Sequence, residues 1–352
     1  MDVNNITITL KDAAELIAAC PDVRFFLRGE PGIGKSSIMA TLKARFGDAY
    51  AYAYFDCAQK DLGDIAVPAP NRELRITEYF PNAALQLQSG KPVVIMLDEY
   101  SKAPQPVQNM LHPLLEVHNP RLGDVALPEG SIVVLTGNLA SDGVGDNVKA
   151  HTLNRVTVVT VRKPTAKEWL EWATDAGIDP VVLAWADRFP QAFESYMDAT
   201  EANPYIYNPK VMQSAYVSPR SLELVNRIVS RRDKLSDDAL LAAMAGTIGA
   251  SAAHDMLAFV RYQDELPTWG EIVNDPKGTT LPTSPGATAV LVFSMVTRVD
   301  EDTLTPVMHY IQRLPAEWQA TFAIHLFNSR KQDIAVRNRA FSEFFAANAD
   351  LF

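Results

Sequence analysis

The stretch that leaves this chain least freedom is Arg28-Gly29-Glu30-Pro31-Gly32-Ile33-Gly34-Lys35-Ser36-Ser37, which fits Gly-x-x-x-x-Gly-Lys-Ser without a gap. Before it, Val23-Arg24-Phe25-Phe26-Leu27 has the short apolar make-up of a buried strand. After it, Ile38, Met39, Leu42 and Phe46 recur at helical spacing, and Gly47 ends the run. Strand, glycine loop and helix in that order predict an α/β unit with a phosphate cradle at their junction. Gly29, Gly32 and Gly34 let the backbone turn tightly and aim successive N–H groups inward, where a helix N-terminus adds partial positive charge. Gly29, Glu30, Pro31, Gly32, Ile33, Gly34, Lys35, Ser36 and Ser37 are therefore the candidate nucleotide-binding residues. Lys35 would neutralise the β- and γ-phosphates of a bound triphosphate, and the Ser36 hydroxyl would ligate Mg2+.

Two further stretches belong with this loop. Val93-Val94-Ile95-Met96-Leu97 is a continuous apolar run ending in Asp98-Glu99. It reads as a fully buried parallel strand whose C-terminal end meets the ligand crevice. Asp98 would share the Mg2+ shell with Ser36, and Glu99 would orient or deprotonate the attacking water. Ser131-Ile132-Val133-Val134-Leu135-Thr136-Gly137 is another buried strand, ending at Asn138, whose amide can bond the water or the γ-phosphate.

At 352 residues the chain is long enough for two or three domains, and 47% hydrophobic with 21% charged residues is ordinary globular composition. A net charge of −10 argues against nucleic acid as the main partner, which needs clustered Lys and Arg. Cys20 and Cys57 are too few for a disulfide framework and lack metal-ligand spacing, as do the six histidines. Residues 1–20 lack a basic segment followed by an apolar one, and no run is long enough to span a bilayer. The expectation is a soluble cytoplasmic protein without membrane insertion.

The order of motifs resembles that of a MoxR-type AAA+ ATPase. Asp98-Glu99-Tyr100-Ser101-Lys102-Ala103-Pro104, then Val107-Gln108-Asn109-Met110-Leu111, is similar to that family's acidic block, with Tyr100 and Ser101 as departures. Arg121-Leu122-Gly123 with Leu127-Pro128 resembles the hairpin inserted in the family's second helix. Asn154-Arg155-Val156 resembles its arginine-finger element, and Ser218-Pro219-Arg220-Ser221 the start of its sensor-2 helix. The likeness covers residues 23–225. It implies an AAA+ core, a parallel sheet with helices on both faces, in a homo-oligomeric ring, usually a hexamer. It also implies that Arg155 reaches into a neighbouring subunit's site to stabilise charge on the transferring phosphate, and that Arg220 contacts its own subunit's γ-phosphate from the lid. Glu168 to Ala173, with Ser-Pro-Arg-Ser, is similar to the bacterial and phage branch paired with a protein carrying a von Willebrand factor A or metallopeptidase-like domain. The implied role is chaperone-like remodelling of that partner.

The divisions expected are a nucleotide-binding core over 1–163, a helical lid over 164–262 and a Pro/Gly-rich hinge with a helical C-terminal region over 263–352. Thr165 with Glu168 forms a capping-box pattern, and helical periods run over 180–197, 219–232 and 236–262. Phe341, Phe344 and Phe345 read as a packed stripe. No Asn-Lys-x-Asp occurs, which disfavours a GTPase. The alternative to a motor is a scaffold gated by nucleotide with little turnover. A DNA-associated motor is disfavoured by the acidic balance.

Overall fold

The computed structural model describes residues 6–139, 148–198 and 202–348. Val3, which alternates weakly with Ile6 and Ile8 in the sequence, lies outside them. The chain divides into two compact units, 1–163 and 164–352.

Unit 1 is built on a six-stranded sheet. In chain order its strands are β1 (Thr7–Ile8), β2 (Phe25–Arg28), β3 (Ala51–Asp56), β6 (Val93–Asp98), β9 (Ile132–Gly137) and β10 (Thr157–Val161). They lie side by side as β1-β10-β2-β9-β6-β3, and every neighbouring pair is parallel. Period-2 alternation sorts the apolar side chains to two faces. Val93, Ile95 and Leu97 join Phe26, Phe55, Val133 and Leu135 on one face. Val94 and Met96 join Phe25, Leu27, Ile132 and Val134 on the other. Helices α1 (Leu10–Ala19) and α2 (Ile38–Phe46) cover the second face through Ala13, Ala14, Ile17, Ile38 and Leu42. Helix α3 (Gln105–Leu111) and the helical turn His112–Leu115 cover the first through Val107, Leu111, Leu114 and Leu115. Both faces are closed, which is why β6 is apolar at every position before Asp98.

Two hairpins interrupt this frame. The short one, β7 (Arg121–Leu122) with β8 (Val125–Ala126), falls where the sequence suggested a hairpin. The longer one, β4 (Ala66–Asn71) with β5 (Ile76–Pro81), lies between β3 and β6. Pro68 and Pro70 sit in β4, which pairs on one side only, a position in which a strand tolerates proline. Asp124 ties the hairpins together: its N–H donates to the Tyr79 carbonyl at 3.1 Å, and its carboxylate accepts the Tyr79 N–H at 2.6 Å.

Unit 2 is helical, with two cores. The first gathers α5 (Ala166–Asp175), α6 (Pro180–Arg188), α7 (Pro219–Val229), α8 (Asp237–Ile248) and α9 (Ala250–Arg261). The second gathers α10 (Trp269–Asn274), α12 (Leu304–Ile311), α13 (Ala316–Phe327), α14 (Gln332–Arg337) and α15 (Arg339–Ala347). Helix α11 (Pro285–Arg298) belongs to both, giving Ala289, Val290 and Phe293 to the first and Leu291, Val292, Met295 and Val296 to the second. The period expected to run unbroken over 236–262 splits at Gly249, whose φ of +88° ends α8. The Pro/Gly-rich stretch 263–286 contains α10 and is tied down by Arg313, which donates to the carbonyls of Pro276 and Thr279 at 2.7 and 2.8 Å. Lys331 donates to the carbonyls of Val296, Thr297 and Val299, the open end of α11.

Candidate nucleotide-binding site

The loop after β2, the ends of β6 and β9 and the start of the α2 segment converge at the carboxyl edge of the sheet, where open α/β folds bind ligands. The parallel register makes this happen: Arg28 lies opposite Gly137, and Leu97 opposite Leu135, so Gly29, Asp98 and Asn138 follow at neighbouring strand ends.

The glycines are set by geometry. Gly32 and Gly34 have φ of +76° and +104°, left-handed conformations that exclude most side chains. A Cβ on Gly29 would stand 2.5 Å from the Val161 carbonyl oxygen. The loop then enters a single tight helical turn, Lys35–Ser37, before α2 proper. Ser37 closes that turn by donating from its hydroxyl to the Gly34 carbonyl at 2.7 Å. Ile33 is buried in the core against α1 and α2, which anchors the loop's centre. Glu30 is buried, and Pro31 is half-buried.

Lys35 is 8% exposed, and its ammonium donates to the Gly29 carbonyl (2.7 Å), the Glu30 carbonyl (2.9 Å) and Asn138 Oδ1 (3.3 Å). Ser36 Oγ donates to Asp98 Oδ2 at 2.9 Å. Asp98 also accepts from the Tyr54 hydroxyl and from Thr136 Oγ1. Burial pushes the Asp98 carboxyl up, but the hydrogen bonds from Thr136, Tyr54 and Ser36 outweigh it and hold it below the ordinary carboxylate value. It is therefore an anion near neutral pH.

Glu99 is one of three non-glycine residues with positive φ among those described, at +50°. This left-handed elbow turns the chain out of β6, and the Glu99 N–H is held by Thr136 Oγ1 at 3.1 Å. The Glu99 carboxylate accepts from Lys102 Nζ at 2.8 Å.

A triphosphate with Mg2+ fits these groups. Gly32 and Gly34 hold the loop in left-handed turns, and the buried Lys35 ammonium stands beside it. One anionic carboxylate paired with one hydroxyl suits a cation that keeps several waters and takes its other ligands from phosphate. No group of three or more His, Cys, Asp or Glu that could hold a metal alone occurs among the described residues.

The sequence reading missed Tyr54 and Thr136, and gave Lys102 no role. Tyr54 lies opposite Met96 across the β3–β6 pair, so its ring reaches forward to Asp98. Burial, with the bond to Asp98 second, pushes the Tyr54 phenol up. Two expected residues stand apart from the loop's hydrogen bonds. Arg155 follows α4 (Ala150–Leu153) and bonds Glu116 Oε1 at 3.1 Å and the His151 carbonyl at 2.9 Å. Arg220 is exposed in the first turn of α7 in unit 2, behind a capping box made by Ser218 and Ser221.

Residues 24–155 match the AAA domain family (dynein-related subfamily). No curated protein matches the chain. Among solved structures it is similar to a candidate ATPase from Cytophaga hutchinsonii, at 16% identity and a TM-score of 0.35, over 65% of this chain and 61% of that one. It is also similar to NtrX from Brucella abortus in complex with ADP, at 17% identity and a TM-score of 0.40, over 97% and 67%. Neither likeness is close enough to support a functional assignment. The match spans the strands that carry the glycine loop, Asp98-Glu99 and Asn138, and the parallel sheet fits the α/β core of an AAA+ ATPase.

Proposed function

We propose that the chain is a Mg2+-dependent ATPase of the MoxR type that works in the cytoplasm as a homo-oligomeric ring, a hexamer, and remodels a partner protein. The partner on this reading is a protein with a von Willebrand factor A or metallopeptidase-like domain. The observation that carries the catalytic part is the 2.9 Å bond from Ser36 to Asp98, with Lys35 and Asn138 alongside. Bound Mg2+ would neutralise charge on the phosphates as the terminal P–O bond breaks. Lys35 would exchange its carbonyl and amide partners for phosphate oxygens, which bind an ammonium more strongly. Asn138 would then be free to hold the attacking water, and Glu99 to accept its proton. Arg155 would meet charge on a neighbouring copy's phosphate, and Arg220 would contact the γ-phosphate held by its own subunit. No helix among the described residues is long and apolar enough to cross a membrane.

A second reading, the nucleotide-gated scaffold, is favoured by one feature: Glu99 is engaged by Lys102. Steady-state hydrolysis of wild type beside Glu99→Gln and Lys35→Ala, with mass measured with and without ATP, separates the two. For a motor, Glu99→Gln keeps ATP binding and loses turnover about 100-fold or more, while Lys35→Ala loses both. Tight binding with negligible wild-type turnover would point to the scaffold, or to a motor idle until its partner arrives.

A further inference from the structure

The Arg155 guanidinium is held at two points. Nε donates to Glu116 Oε1 at 3.1 Å, and Nη1 donates to the His151 carbonyl at 2.9 Å. Two fixed points on a planar group set both its plane and its rotation. Nη2 makes no hydrogen bond among the described residues.

The supports are themselves rigid. Glu116 follows the turn His112–Leu115, whose Leu114 and Leu115 are fully buried, and Arg24 Nε donates to the Leu114 carbonyl at 3.3 Å. His151 lies in α4 and meets the His112 ring edge-on at 5.0 Å. Arg155 is bonded to Thr152 through its own N–H, and two residues later β10 joins the sheet through Thr157 N–H to the Arg24 carbonyl. The Glu116–Arg155 pair is about one-third exposed at the arginine, so as an ion pair it changes stability little. What it fixes is direction.

We propose that Glu116 is a positioning residue: it aims Arg155 so that Nη2 and the far edge of the guanidinium face a neighbouring copy's γ-phosphate. The inference rests on the reading, given above, that Arg155 acts across a subunit interface. Glu116 touches no reacting atom, and its effect on turnover passes through Arg155.

A double-mutant cycle tests this on the full chain, using Glu116→Ala, Glu116→Gln, Arg155→Ala and the Glu116→Ala/Arg155→Ala pair. Each variant is assayed for kcat, KM for ATP, melting temperature and mass in ATP. Glu116→Ala is expected to lower kcat about tenfold or more, with KM and melting temperature close to wild type. Glu116→Gln, which keeps an oxygen acceptor for Nε, restores most of the rate. The double variant matches Arg155→Ala alone. Wild-type turnover in Glu116→Ala, or a double variant slower than Arg155→Ala, overturns the positioning role. Normal turnover in Arg155→Ala overturns the interface reading itself, and the positioning role with it.

Discussion

Asp98 shows how much one carboxylate can be asked to do. It is 7% exposed, yet it stays anionic because three hydroxyls, from Ser36, Tyr54 and Thr136, donate to it. Thr136 also accepts the Glu99 N–H, so one side chain fixes the Asp98 carboxylate and the elbow that follows it. Tyr54→Phe removes one donor while keeping the ring. It is expected to raise the Mg2+ concentration for half-maximal turnover about tenfold, as for other lost partners of metal ligands. Nucleotide binding without Mg2+ should stay unchanged. An Mg2+ titration of turnover beside a binding assay in chelator reads both, and an unaltered Mg2+ dependence removes Tyr54 from the site. The loop glycines, the two carboxylates and Asn138 were legible in the sequence because each sits in a local pattern tied to a strand end. Tyr54, Thr136 and Glu116 were not, since they meet their partners 44, 38 and 39 residues away, through register and packing.

At the scale of elements, the paired hairpins depend on one close approach. Gly123 has φ of +55°, and a Cβ there would stand 2.4 Å from the Tyr79 carbonyl oxygen. Gly123→Ala should therefore push the Asp124 bracket off Tyr79. Amide exchange over 66–81 is expected to speed up about tenfold or more, with the sheet amides of β2 and β6 unaffected. Hydrogen exchange followed by mass spectrometry decides it, and unchanged protection would show that the long hairpin stands by itself. This element was the hardest to read from sequence. Pro68 and Pro70 argue against a strand, and no local pattern announces a strand that pairs on one side only. The break at Gly249 was hidden differently: apolar residues continue at helical spacing on both sides of it, and only the backbone turn separates α8 from α9.

For the whole molecule, acid sensitivity should arise in unit 2 as well as at the site. His325 is buried against Phe293, and burial, with Lys167 second, pushes its imidazole down to about 4 from an ordinary 6.5. The native state thus refuses a proton that the unfolded chain accepts. The stabilisation it contributes is complete above pH 6.5 and is lost as pH falls towards 4, by up to about 3 kcal/mol. Asp187 acts with the opposite sign. Burial, with Glu317 second, pushes its carboxyl up to about 6, so protonation below pH 6 favours the native state. His325→Phe should flatten the fall in melting temperature between pH 6.5 and 4 relative to wild type. Parallel curves for the two proteins would show that His325 takes up its proton without unfolding.

Helix α11 has a consequence for synthesis. The first core of unit 2 takes Ala289, Val290 and Phe293 as part of its wall, yet the other helices of that core end at Arg261. A growing chain thus finishes those helices well before the residues that seal them are made. At about 5–20 residues per second, the unsealed surface stays open for roughly two to six seconds. Through that interval the apolar wall that Ala289, Val290 and Phe293 complete stays open, the kind of surface that holdase chaperones bind.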